Sequence, residues 1–505
     1  MNKIYQKEAE SGCEFSLPDY MGDVKRILSV NAVAIPSAKF ASDESVEFSG
    51  IVSYDILYCD SEGKLTRILT SSDYDIQAPT GDGYIDSMAD VSVASISSRL
   101  TGPRKLVLKS LLSAEIILSV KSDLECSGSA FADGESPEVL TKEVLDSEMV
   151  FATSPEREYA DEAERFDDMS VDDIEVIATS GAVRITEVFA EDGGVMVRGE
   201  LIITSIIRTP EQPPFAIKRS IPFEEKVTVE GLVSDMQISA DGYVTSVSTG
   251  VAESDGGCSV TVNAITELSV IASNNAHRTV TLDAYLKNKE TESEYEDYVC
   301  DELVLLGSCE HSFDVSENKN DLIPEATRNI IGISVDVRSS ERRIEKNSII
   351  LEGAALVSGV ACEINEDNKP IYSPLKFTAP FKINVNLDCQ MPDNVMVDAK
   401  IKVTSADARI EGDRLSVSCV AQVRYRVHDQ TTVRIMSACN IVSDLESSAD
   451  VACITVYYPG EDETLFEIAK KFHTSVAQIA ADNRLSVETA SSEISSFKVK
   501  RLLIG

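Results

Sequence analysis

The sequence predicts a mainly β protein, with three related β-rich domains in tandem followed by a small β-α-α-β module. Three observations carry that prediction. Runs of β-branched and aromatic residues bounded by turn residues recur through the first 445 of the 505 residues. A strand motif centred on glycine returns at a nearly constant interval, the mark of a repeat. The C-terminal stretch changes its apolar spacing from the strand period to the helix period.

At the front, residues 17–28 read Leu-Pro-Asp-Tyr-Met-Gly-Asp-Val-Lys-Arg-Ile-Leu. Asp23 is placed to N-cap a short turn of helix with Val24, Ile27 and Leu28 on one face, leading into the first strand. Residues 46–58 (Val-Glu-Phe-Ser-Gly-Ile-Val-Ser-Tyr-Asp-Ile-Leu-Tyr) form a strand with Gly50 inside it. Residues 182–189 and 195–203 flank Glu191-Asp192-Gly193-Gly194 and read as a hairpin. Residues 348–357 repeat the pattern around Gly353. A glycine within a strand marks a bulge or a close backbone approach.

Gly50 and Gly199 are 149 residues apart, and Gly199 and Gly353 are 154 apart. An aromatic residue follows each glycine, Tyr74, Phe223 or Phe381, at intervals of 24, 24 and 28. One short insertion in the third unit accounts for the longer interval. Each unit closes with a further strand pair, containing residues 104–108, 258–262 or 414–418. The resulting division is a β domain at 1–125, an acidic linker at 126–172 and a second β domain at 173–275. An acidic linker or added edge elements at 276–326 precede a third β domain at 327–445 and the terminal module at 450–505.

In that module, residues 453–458 read as a strand and 463–472 as a helix with Leu465, Ile468, Ala469 and Phe472 on one face. Thr474 or Ser475 can cap a second helix containing Val476, Ile479 and Ala480, and residues 499–504 close the module as a strand. A unit this small must pack both helices on one face of a two-stranded sheet.

Composition narrows the function. Lys and Arg number 46 against 85 Asp and Glu, a formal net charge of −39 that disfavours nucleic acid and anionic lipid. No nucleic-acid partner, membrane insertion, cofactor or metal is expected. The N-terminal residues lack the apolar core of a secretory signal, so the chain is expected to remain in the cytosol that made it. Eleven scattered cysteines without a CxxC pair are expected as free thiols, Cys258, Cys419 and Cys453 among them in strand-like runs. The four histidines stand in no metal-binding spacing, and no phosphate loop, dinucleotide fingerprint or nucleophile elbow occurs. The expectation is a non-enzymatic protein.

Two stretches resemble known families. Leu-Pro-Asp-Tyr, Asp-Val-Lys-Arg-Ile-Leu and the Gly50 strand, with Ile-Pro-Phe-Glu-Glu-Lys-Val at 221–227, resemble the SPOCS domain of spore-coat-associated proteins. The string Thr-Leu-Phe-Glu-Ile-Ala-Lys-Lys-Phe-His-Thr-Ser-Val at 464–476 resembles LysM. Together they resemble spore coat morphogenesis proteins of the SipL and SpoVID type.

The resemblance implies an adaptor that links the assembling coat to the mother-cell side of the forespore surface. Its LysM would dock a spore coat scaffold protein, a SpoIVA-like ATPase. The alternative it implies is binding of peptidoglycan, an N-acetylglucosamine polymer, at cortex or wall. The LysM groove would comprise Glu461, Asp462, Glu463, Thr464 and Leu465 on one rim, and Ala481, Asp482, Asn483, Arg484 and Leu485 on the other. Asp462 and Val499 replace two glycines of the family pattern, and glycine is what lets backbone approach a ligand closely. Those departures favour a protein over a glycan as the ligand.

Overall fold

A computed structural model describes residues 2–121, 124, 126–132, 136–366, 369–392, 394–445, 454–460, 463–485 and 500–505. The chain divides into two compact units. One comprises Met1–Lys121, Glu148–Asn274 and Leu303–Asp429; the other comprises Ser122–Ser147, Asn275–Glu302 and Gln430–Gly505.

The first unit holds one arrangement three times. In the first repeat, β1 (Asn2–Ser16), β2 (Val24–Ala41), β3 (Ser45–Asp60), β4 (Leu65–Pro79), β5 (Tyr84–Gly102) and β6 (Lys105–Val120) build two sheets. Their orders are β2-β3-β4 and β1-β6-β5. After α1 (Ser129–Ala132) and β7 (Glu138–Thr153) comes the second repeat. It consists of β8 (Arg157–Asp167), β9 (Glu175–Glu191), β10 (Gly194–Arg208), β11 (Phe215–Thr228), β12 (Gln237–Ser254) and β13 (Gly257–Tyr285). Its orders are β9-β10-β11 and β8-β13-β12, with β7 also pairing β13. The third repeat contains β14 (Lys289–Asn318), β15 (Thr327–Glu345), β16 (Ser348–Ile364), β17 (Pro370–Asn386), β18 (Met396–Glu411) and β19 (Arg414–Asp444). Its sheets are β15-β16-β17 and β14-β19-β18. In every repeat the first strand pairs with the sixth and the middle three form their own sheet.

The three glycines hold one position in this scheme. Along β3 the inward row is Val46, Phe48, Gly50, Val52, Tyr54, Ile56 and Tyr58, alternating as a half-buried strand must. Gly50 lies directly across from Tyr74, Gly199 from Phe223 and Gly353 from Phe381. The aromatic side chain thus fills the core over a residue without one. On the opposite flank the ladder bulges each time, at Ser37, Thr186 and Ser340. A Cβ on the glycine would collide there with the carbonyl of Ile35, Arg184 or Arg338. The longer third interval falls between Gly353 and Phe381, in the hairpin from β16 to β17.

The repeats meet at equivalent residues. Leu57, Ile206 and Val360, each seven residues after its glycine, share one buried cluster with Leu28, Ile177 and Ile331. Polar ties join the same repeats: Lys64 pairs with Glu175 at 2.9 Å, Lys218 with Asp407 at 2.6 Å and Arg184 with Glu310 at 3.4 Å.

Two local expectations are corrected. Asp23 caps no helix, because residues 24–41 are the strand β2, and Asp23 instead pairs with Arg104 at 2.7 Å. Bulges between Val24 and Arg26 and between Ile27 and Ser29 shift the register, so that Val24 and Ile27, three apart, pack on one core while Leu28 joins another, and that spacing imitates a helix. The stretch 126–172, read as a linker, holds the strands β7 and β8, while in 276–326, read as a linker or added edge elements, β14 fits the second alternative. Along β14, exposed Glu290, Glu292 and Glu294 alternate with half-buried Thr291 and Ser293, so the strand period is written in small polar residues.

Ten cysteines are free thiols, with Cys258 and Cys419 buried in strands; Cys453 lies outside the described residues. Among the described residues no helix is long and apolar enough to cross a membrane.

Candidate binding site on the C-terminal module

The C-terminal module lies in the second unit, and its described elements are β20 (Thr455–Tyr457), α2 (Leu465–Lys471), α3 (Val476–Asn483) and β21 (Leu502–Ile504). The helices form where the sequence caps them. Thr464 accepts from the Glu467 amide at 3.2 Å while Glu467 accepts from the Thr464 amide at 2.8 Å, a reciprocal capping box. Ser475 accepts from the Gln478 amide at 3.1 Å. The first strand pairs antiparallel with the last, Val456 opposite Leu503. Leu465, Phe466, Ile468, Ala469, Val476, Ile479, Leu502 and Ile504 make the core.

The proposed groove residues take different places. Leu465 is wholly buried, so its side chain supports the rim from beneath. Thr464 is committed to capping α2. The Glu463 carboxylate accepts the Tyr457 hydroxyl at 2.8 Å and the Gly460 amide at 2.8 Å, with Lys471 at 4.0 Å. The Gly460 amide first, then the Tyr457 hydroxyl, hold that carboxyl below its usual range. Glu461 and Asp462 lie outside the described residues, as does Val499.

On the second rim, Ala481 and Asp482 are exposed, and Asp482 accepts from Gln478 Nε2 at 3.0 Å. Asn483 clips the rim to the last strand, donating to the Leu503 carbonyl at 2.6 Å and accepting from its amide at 2.8 Å. Arg484 is exposed in the left-handed conformation (φ 58°), where the chain leaves α3. Leu485 packs half-buried against the core.

A second contact surface was absent from the sequence reading. Tyr285, at the end of β13, is buried against the module. Its ring meets Phe466 edge-on at 5.2 Å, and its hydroxyl donates to the Thr474 carbonyl at 2.7 Å. Asp283 accepts from Lys470 Nζ at 2.7 and 2.8 Å and from the Tyr295 hydroxyl at 3.0 Å. Leu140 of β7 packs against the same core. Burial and the nearby Glu138 and Asp283 carboxylates push the Tyr285 phenol up, so it stays a hydrogen-bond donor at any ordinary pH. The α2 face and the loop after it are therefore clamped, whereas the second rim stays open. Nothing local in the sequence marks Asp283 or Tyr285, because both become contact residues only through tertiary packing.

Comparison with known families fits this geometry. Residues 173–252 match the SipL SPOCS domain, and residues 460–489 match the LysM domain. The chain carries both domains. The pair supports a sporulation-related protein with a module able to bind peptidoglycan. No curated protein matches the chain, and no solved structure does. The SPOCS match spans β9, β10, β11 and most of β12, and so includes Gly199 and Phe223.

Proposed function

We infer that the chain is a non-enzymatic adaptor of spore coat assembly, joining the forming coat to the forespore surface by protein contacts from the mother-cell cytoplasm. The observation carrying this reading is the union of a SPOCS domain with a LysM in which Glu463, Thr464 and Leu465 of the first rim are engaged within the module. Glu463 is spent on Tyr457 and Gly460, and the α2 face is clamped by Tyr285 and Asp283. Among the described groove residues, Ala481, Asp482 and Arg484 are exposed, two of them charged. Such a rim suits charged protein groups, since sugar hydroxyls do not answer an exposed guanidinium as a carboxylate does. The LysM then docks a SpoIVA-like coat ATPase, while tethered β repeats raise the local concentration of further contacts.

The second reading, peptidoglycan binding through the same module, is favoured by the LysM match itself. One comparison separates them. The full chain and its Arg484→Glu variant are incubated with immobilised SpoIVA-like ATPase and, in parallel, with insoluble peptidoglycan. Capture by the ATPase that falls with Arg484→Glu supports the adaptor. Sedimentation with peptidoglycan and no ATPase capture supports the glycan reading and removes the adaptor.

A further inference from the structure

The three repeats meet at a second set of equivalent positions, and there they differ in sign. The fifth strand of each repeat bulges after Val93, Val244 and Val403. Three residues before each bulge stand Asp90, Asp241 and Lys400. Their cross-strand partners are Glu115, Ser269 and Arg424. The first repeat supplies two carboxylates and the second one. The third supplies Lys400 and Arg424, with Lys402 two residues further on.

These groups interlock. Arg424 Nη2 lies 2.5 Å from Asp90 Oδ2 and 3.0 Å from Asp241 Oδ2, bridging the first two repeats. Lys400 Nζ lies 3.0 Å from Asp90 and 3.7 Å from Glu115. Lys402 Nζ lies 3.0 Å from Asp241 and sits 5.2 Å from the centre of the Tyr243 ring. Three carboxylates face three cations, and the Asp241 side chain is only 5% exposed. Burial alone would raise the carboxyls of Asp90 and Asp241, yet the surrounding cations hold both below the usual range.

A buried ion network seldom stabilises a fold more than well-packed apolar residues would, and its best-attested use is to specify one arrangement among several. This chain has alternatives to exclude. Its repeats share one strand order, and Leu57, Ile206 and Val360 meet at like apolar positions. Apolar contact alone would let a repeat of a second copy dock where this chain's own repeat belongs. Charge does not allow it where the incoming repeat is of the wrong kind. Two carboxylate repeats without the third leave buried like charges facing each other, and two third repeats set cations against cations.

We propose that this ring is an address key: it admits one cationic repeat beside two anionic ones and rejects a repeat of the wrong kind, whether that repeat comes from the same chain or from a second copy. The test uses the full chain, unfolded in urea and refolded over a range of protein concentrations, with mass read by light scattering. One variant replaces the key by apolar residues (Asp90→Leu, Asp241→Leu, Lys400→Met, Lys402→Met, Arg424→Met, with Glu115→Gln). It is expected to refold with native circular dichroism into dimers and larger species whose share grows with concentration, while the wild type returns to its starting mass. Refolding of that variant to the wild-type mass at every concentration overturns the proposal. If the variant does not fold, Asp90→Lys decides the matter, alone and combined with Lys400→Asp. Higher-mass species from the single change that disappear in the pair support the key, and equal masses for the two overturn it.

Discussion

Replacing Gly199 by alanine tests the packing rule that the three repeats share. The new Cβ would stand 2.8 Å from Phe223 Cζ and collide with the Arg184 carbonyl. The ring can swing by a few tenths of an ångström, but the carbonyl belongs to the β9–β10 ladder and moves only with it. Overpacking of this kind costs about 1–3 kcal/mol. Restricting the unfolded chain returns about 0.4–1 kcal/mol of that, so the expected net loss is about 1–2 kcal/mol. Gly250→Ala is the control, because its nearest neighbour is Thr261 Oγ1 at 3.4 Å, and it should be neutral or slightly stabilising. Urea unfolding followed by circular dichroism gives both values. Adding Phe223→Leu to Gly199→Ala relieves the ring but not the carbonyl. The cycle should therefore show a coupling of about 0.5–1 kcal/mol, with a residual cost. A Gly199→Ala chain as stable as wild type, or zero coupling to Phe223, would refute the reasoning.

Acid should weaken the fold in part through the charged ring. Asp90 and Asp241 have carboxyls depressed in the fold, so their contribution is complete above the unfolded value of about 3.9 and fades as pH falls through the folded values. The urea midpoint should drop from about pH 5 downward, and Arg424→Met should flatten that slope. Leu465→Ala should cost the C-terminal module about 2–5 kcal/mol, read as faster amide exchange in α2 and α3. Glu463→Ala should cost about 1 kcal/mol by the same measure, since it frees the Tyr457 hydroxyl and the Gly460 amide at a partly exposed site. Lys470→Ala removes a half-exposed pair with Asp283 and should cost the clamp at most about 1 kcal/mol. Tyr285→Ala should release it, with new exchange confined to α2 and the loop after it.

Much of this fold is legible because it is written in period and interval. Gly50, Gly199 and Gly353, with Tyr74, Phe223 and Phe381, could be matched from spacing alone, and the pairing places each aromatic opposite its glycine. The sequence narrows the cap of the second helix to Thr474 or Ser475, and Ser475 takes it, whereas Thr464, the cap of the first, falls inside the stretch read as helix. Bulges hid β2, since an extra residue turns a two-residue period into the three-to-four of a helix. Charge hid β14, whose inward Thr291 and Ser293 carry no apolar signal. Asp283, Tyr285 and Arg424 could not be read at all: each matters through a partner more than a hundred residues away, and local composition holds no trace of that partner.

The clamp on α2 gives the C-terminal module a threshold. A ligand that needs the face held by Tyr285 must first displace it, and its apparent affinity falls by the fraction of molecules in which that face is free, tenfold for every 1.4 kcal/mol the clamp is worth. A ligand that uses only the rim at Ala481, Asp482 and Arg484 meets no such threshold. The two can therefore be told apart without a structure of either complex. Loosening the clamp by Lys470→Ala strengthens the first and leaves the second unchanged, so the chain's own strands act as a built-in competitor that reports where a ligand lands.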